Sequence, residues 1–261
     1  MFETTRYEAS RRVRGTAILT IAISLYAAFI VWYFTILEGV DYEAVFESMP
    51  PAMIEAFGIE ALATIGGFLG TQIYNFVWLL GLGLYFAYAA GGLIAGDIEH
   101  ERMDLLLSFP VSRSRLLVEK TLSLLLPLVT LNVVVGAVIY VLVQAIGESI
   151  DPMYLVLAHA LSIPYLLVCI AIGVVLSVLV DRAAIAERAA IGLIFVLFLV
   201  ESVVGGASEF EWIQYVSPTY YYDPTPILID GSYELLDTGV LLVAFVVLLL
   251  VGQVLFQRRD I

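Results

Sequence analysis

The sequence predicts an all-α polytopic membrane protein with six transmembrane helices. Three observations carry that expectation. First, 61 % of the 261 residues are hydrophobic and only 14 % are charged, with a mean hydropathy of +0.98. A soluble domain sits nearer half apolar and a quarter charged. Second, six apolar runs each reach the roughly 20 residues that a helix needs to cross a bilayer. Third, all 12 Lys and Arg residues fall in alternate connections between those runs. A soluble globular enzyme is excluded, and so is disorder, which needs low hydrophobicity. No repeat or linker interrupts the chain, so residues 1–261 read as a single transmembrane domain.

The runs cover about 16–37, 73–95, 121–146, 154–180, 189–207 and 238–256. Residues 2–14 read as an approach helix whose arginines lie near anionic headgroups. Ser10-Arg11-Arg12 has the look of an export signal. The apolar run behind it exceeds the roughly 7–15 residues of a cleaved signal, and no small-residue site follows. The second run is rich in Gly and Ala, which let helix backbones approach closely in lipid. Pro127 and Pro164 lie inside the third and fourth runs, where neighbouring helices can re-satisfy the freed carbonyls. The sixth is the cleanest, with Gln253 its lone polar residue from Val240 to Phe256.

Charge orients these runs. Arg6, Arg11, Arg12 and Arg14 precede the first; Arg102, Arg113, Arg115 and Lys120 follow the second. Arg182 and Arg188 follow the fourth, and Arg258 and Arg259 follow the sixth. By the positive-inside rule these segments are cytoplasmic. That places both termini in the cytoplasm of a multi-pass plasma-membrane protein. The opposite face holds 15 of the 25 acids and no base. It reads either as a cation-collecting vestibule or as a face solvated in high salt. A net charge of -13 with one lysine hints at a salt-loving source and excludes nucleic acid, which wants a basic surface.

Two outer segments exceed a tight turn. In residues 38–72, Met53, Ile54, Phe57, Ile59 and Leu62 suggest a helix lying at the interface. In residues 208–237, Trp212, Tyr215 and Tyr220-Tyr221-Tyr222 form either an interfacial aromatic belt or a platform on which a substrate stacks.

Catalytic machinery is not expected. Cys169 is the only cysteine. His100-Glu101-Arg102-Met103-Asp104 lacks the second histidine that a zinc site needs one turn away. There is no G-x-S-x-G, and no G-x-x-x-x-G-K-[ST] loop to bind ATP phosphates. No metal or cofactor is implied. Asn75, Asn132, Gln144, His159, Glu201 and Gln253 are the intramembrane polar residues, functional suspects by default. Asn132 is the deepest. It serves either an interhelical hydrogen bond or, with Asn75, a translocation path. His159 is placed near an outer helix end, within reach of water. A proton-coupled transporter would need chains of buried carboxylates, which are missing.

The informative segment is residues 94–120, IAGDIEHERMDLLLSFPVSRSRLLVEK. Met103, Leu106, Leu107 and Phe109 recur at near-helical spacing among charges. A short amphipathic helix there suits a groove in a partner, or else the membrane surface. Pro110 ends it, because the residue before proline disfavours helix. Ser112 can cap the helix that follows.

This segment resembles the coupling helix of ABC export permeases of the type-2 superfamily. The family pattern runs acid-x-acid, a further acid, Leu-Leu-x-x-Pro-x-Ser, then Lys ten residues past the Pro. Asp97, Glu99, Asp104, Leu106, Leu107, Pro110, Ser112 and Lys120 match it, and Arg113 is common in relatives. Glu101-Arg102 stand where many members have Gly-Thr, and Glu119 replaces a common Gly. The likeness spans the chain, and the Arg-Arg-Asp-Ile tail and the DPTPIL stretch look haloarchaeal. It implies two permeases, identical or paralogous, seated on two ATP-binding cassette subunits that hydrolyse the ATP. The residues named, with Arg102, would then transmit motion. An anchor or assembly factor, or a secondary transporter, with no ATPase partner is the rival reading.

Overall fold

The computed structural model describes residues 3–37, 62–108, 111–204 and 211–259. Every described element is helical, and six helices are long and apolar enough to span a membrane. The expected interfacial helix at Met53, Ile54, Phe57 and Ile59 lies outside the described residues.

Helix α1 runs unbroken from Glu3 to Leu37. A separate approach helix was expected before the span, but nothing here breaks a helix. There is no proline, and the single Gly15 costs only about 1 kcal/mol. At 1.5 Å per residue the helix measures about 52 Å, against a hydrocarbon core of about 30 Å. Its first turns therefore project beyond the bilayer as a rigid extension of the span.

The second span is composite. Helix α2 (Ile65–Leu69) passes into a π-helical stretch, Gly70–Leu82, and then into α3 (Gly83–Glu99). A π-helix bonds i to i+5, is rare, and often marks a functional position. Here the Tyr165 hydroxyl donates to the Leu79 carbonyl at 2.7 Å.

Helix α4 (Met103–Leu107) forms the following loop. The third span is α5 (Arg113–Leu122) and α6 (Leu125–Ala145). The break at Ser123–Leu124 has a cause in Pro127, which has no N–H to give the carbonyl four residues back. Ser123 and Leu124 instead make tighter bonds to Lys120 and Thr121, at 3.2 and 3.0 Å.

Helix α7 (Pro152–Leu179) is the buried centre. Asp151 caps its start, accepting from the Met153 amide at 2.8 Å. It packs most closely on α3, where a Cβ on Gly173 would stand 2.4 Å from the Ala87 carbonyl oxygen. That glycine, with Ala87 and Ala90 opposite, sets the helix separation, as small residues do in membranes. Helix α8 (Ala183–Val204) packs mainly on α3 and also against α7.

After two 3-10 turns, Glu211–Val216 and Pro218–Tyr221, comes the short helix α9 (Pro224–Asp230). It ends at Gly231 with φ 75°, a left-handed cap that glycine adopts freely. Helix α10 (Leu235–Arg258) is the sixth span. Both α8 and α10 keep most of their apolar surface outside the fold.

Candidate functional site

All four base-bearing segments meet at one end of the molecule. Glu8 of α1 reaches Lys120 of α5, Glu99 of α3 reaches Ala183 of α8, and Arg113 of α5 reaches the end of α10. The turn between α3 and α4 organises this end. The Glu101 amide donates to the Ile98 carbonyl at 3.0 Å and the Arg102 amide to the Asp97 carbonyl at 2.8 Å. This is a Schellman closure, and its left-handed position is Glu101, with φ 54°. That position favours glycine, whereas this chain places a glutamate there. Glu101→Gly is expected to stabilise the protein by about 0.5–1 kcal/mol, the left-handed penalty less the added chain entropy. Denaturant titration of purified protein checks it; destabilisation would show that the Glu side chain holds the turn.

Below this turn sits a buried charge junction. The Lys120 side chain is 3 % exposed. Its ammonium pairs with Asp97 Oδ2 at 2.6 Å and with Glu8 Oε1 at 2.9 Å. Arg102 reaches the other Asp97 oxygen at 3.3 Å, so two carboxylates face two cations. A second tie lies alongside: the Thr5 hydroxyl donates to the Glu119 carbonyl at 2.9 Å. The Arg115 guanidinium holds the Glu119 carboxylate at 2.7 Å, one turn apart on α5. The amino end of α1 is thus fastened to α3 and α5.

The other expected residues distribute around this junction. Glu99 points to α8 and accepts from the Ala183 amide at 2.9 Å, satisfying a donor that a helix start leaves open. Ser112 caps α5, accepting from the Arg115 amide at 3.3 Å. Arg113 donates to the Phe256 carbonyl at 3.2 Å and lies 5.9 Å from that ring's centre. Arg259 pairs with Asp181, so the carboxyl end of α10 is held to both loops. Asp104 is exposed on α4 and makes no ion pair among the described residues.

Within α4, Met103 is buried, Leu106 half-buried and Leu105 65 % exposed. Leu105, rather than Met103, is the apolar side chain offered outward. The Leu107 side chain, Phe109 and Pro110 lie outside the described residues.

A second polar cluster lies among the spans, with Asn132 at its hub. Its Oδ1 accepts from Ser162 Oγ at 2.9 Å, His159 Nδ1 at 3.1 Å and Trp78 Nε1 at 3.2 Å. Its Nδ2 donates to the Leu128 carbonyl at 2.9 Å. With Oδ1 the acceptor, His159 carries its proton on Nδ1, and Nε2 accepts from the Tyr74 hydroxyl at 2.8 Å. A neutral histidine closes this network.

His159 is therefore buried and partnered, not at a wet helix end as its sequence position suggested. Asn132 and His159 are the polar part of an otherwise apolar groove of about 480 Å³ between α6 and α7. Asn75 is only half-buried and stands apart from the cluster, with no side-chain hydrogen bond among the described residues.

Glu8, Thr5, Arg115, Arg259 and Asp181 were not among the expected site residues. The only sequence signal for Glu8 was an acid on a segment otherwise crowded with arginines.

Six spans with buried polar ties between them define a multi-pass integral membrane protein with its ionic junction at one end. Residues 41–261 match the family model of ABC-2 family transporter proteins. The chain belongs to that family, as a membrane-spanning permease subunit of an ABC transporter. No curated protein matches the chain.

Proposed function

We propose that this chain is the permease of an ATP-driven exporter, built as one domain. It works with a second copy or a paralogue on two ATP-binding cassette subunits in the plasma membrane of a salt-loving cell. Its termini and α4 are cytoplasmic, and the ATPase chemistry belongs to the partner.

The Glu8–Lys120–Asp97–Arg102 junction, built on the buried Lys120–Asp97 pair, is the observation that carries this reading. A helix only five residues long cannot transmit force through its own stiffness. Here α4 hangs from α3 and α5 at points locked by opposite charges, and α1 is bound into the same node. A push on α4 therefore reaches three spans together. Asp104 and Leu105 stand outward as the contact side of α4, while Asp97, Arg102 and Lys120 hold its base. Glu99, Ser112 and Arg113 extend the link to α8, the start of α5 and α10. Leu106, Leu107 and Pro110 complete the coupling segment. Asn132 and Asn75 are the polar residues offered to the translocation path.

A mild-detergent purification of the tagged chain tests this reading. A co-purifying ATPase subunit in equal amount is expected. Reversing charge at Glu99 and Asp104 should reduce its retention and abolish ATP-dependent transport. If the chain purifies alone under several lipid and salt conditions, the exporter reading fails.

A further inference from the structure

On the base-free face, a cavity of about 500 Å³ opens where the second 3-10 turn, α9 and the start of α10 meet. Its lining includes Tyr220, Tyr221 and Tyr233, together with Asp223, Glu234 and Asp237. Among the described residues no Lys or Arg lines it, and no ion pair engages any of the three carboxylates.

Tyr220 and Tyr221 pack into an array with Tyr215, which stands outside the lining. Tyr220 and Tyr221 meet edge to face at 5.1 Å, and Tyr215 and Tyr220 at 4.8 Å. The Tyr221 hydroxyl donates to the Tyr215 carbonyl at 2.9 Å. Burial and then the Asp237 charge push the Tyr221 phenol above its ordinary value, so carboxylate and ring share one electrostatic environment.

Two ligand classes suit such a lining, and the geometry separates them. A hard metal ion needs several oxygens converging at about 2.3–2.6 Å. No three acidic, histidine or cysteine side chains among the described residues converge in that way. The carboxylates are spread around a space far larger than an ion, with aromatic rings between them. Rings attract a soft, poorly hydrated cation through their negative faces.

We propose that this cavity binds an alkylammonium cation, of the quaternary or tertiary amine class. The rings contact its apolar substituents, and Asp223, Glu234 and Asp237 neutralise its charge at a distance. A free cation fits better than a zwitterionic lipid headgroup, whose phosphate would face three like charges. The site is independent of the ATPase reading, because it needs neither nucleotide nor partner.

The test is titration calorimetry on the purified full chain, without nucleotide and at constant ionic strength. Choline and tetraethylammonium are the probes, and 3,3-dimethyl-1-butanol is the neutral isostere of choline. Choline should bind with millimolar or tighter affinity and the isostere should not. Asp223→Asn together with Asp237→Asn should weaken choline at least about tenfold; asparagine still caps α9 in place of Asp223. Tyr221→Leu should weaken it similarly, whereas Tyr221→Phe keeps the ring and retains binding.

Three results would each overturn the proposal. The first is equal binding of choline and isostere, or none up to roughly 10 mM. The second is loss in the carboxylate variant with Tyr221→Leu unchanged, which marks plain counterion attraction. The third is choline binding seen in phosphatidylglycerol nanodiscs but abolished in phosphatidylcholine ones, whose own headgroups then occupy the cavity, which marks a lipid-headgroup belt.

Discussion

Lys120→Met is expected to destabilise the protein by about 3–5 kcal/mol, the cost of leaving buried charge uncompensated. The side chain is replaced by one of similar length and shape, so packing is largely kept. What is lost is the cation shared by Asp97 and Glu8. The Asp97 side chain is only 8 % exposed, and its remaining partner, Arg102, is 48 % exposed at 3.3 Å, too wet to compensate.

Glu8→Gln should cost far less, about 1 kcal/mol, because the Lys120–Asp97 pair survives. Adding Asp97→Asn to Lys120→Met should recover part of the loss, since removing both charges removes the burial penalty. Unfolding titrations of the four proteins in mixed micelles separate these cases. If Lys120→Met costs no more than Glu8→Gln, the junction is solvated and cannot act as a rigid node. A purely structural role would leave coupling intact in the rescued double variant. A transmitting role would leave it folded but with ATP hydrolysis and transport uncoupled.

The spans were legible because the bilayer makes hydrophobicity a length measurement. Each predicted run overlaps one of the six long apolar helices among the described residues, and differences at their ends have local causes. The second span reaches from Ile65 to Glu99 rather than 73–95, because Gly and Thr at its outer end and Asp and Glu at its inner end are helical without being apolar. Hydropathy therefore cannot register them. The fifth begins at Ala183 because Glu99, from another helix, supplies an acceptor to its first turn. No local pattern encodes a cap donated from 84 residues away.

The site was legible unevenly for the same reason. Asp97 and Lys120 could be singled out by motif, and the fold puts them in contact. Glu8 is their equal in the junction, yet it lies 112 residues from Lys120. Nothing in the periodicity of α1 distinguishes it from Glu3. The apolar register of this loop was read from spacing as Met103, Leu106, Leu107 and Phe109, but burial decides which face a five-residue helix shows. The Schellman turn at Glu101 fixes that face, because it sets the direction in which the chain leaves α3. Tyr74 and Trp78 were invisible as polar partners, since a large aromatic in an apolar run looks like packing until its heteroatom finds an acceptor.

The second large effect is expected at Asn132. Asn132→Leu removes an acceptor used by three donors and fills a similar volume. Ser162 can turn wholly to the His159 carbonyl, to which it already lies at 2.7 Å. Trp78 Nε1 and His159 Nδ1 have no such alternative among their described partners. Interhelical hydrogen bonds in membranes are worth about 0.6 kcal/mol on average and up to about 1.7, so the loss should be about 1–3 kcal/mol.

Ser162→Ala should fall near the bottom of that range, because Asn132 keeps two donors. The sharper readout is a double-mutant cycle of Asn132→Leu with Trp78→Phe. A direct bond between α6 and the π-helical part of the second span predicts a coupling of about 0.5–1.5 kcal/mol. A coupling indistinguishable from zero would sink the hub. Because the hub joins α6, α7 and the π-helical segment, its loss should also loosen that segment. Amide exchange at 70–82 should then rise in Asn132→Leu while exchange at the Lys120 junction stays unchanged. Equal acceleration at both ends would mean that the variant unfolds globally, and that the two polar clusters form a single cooperative unit.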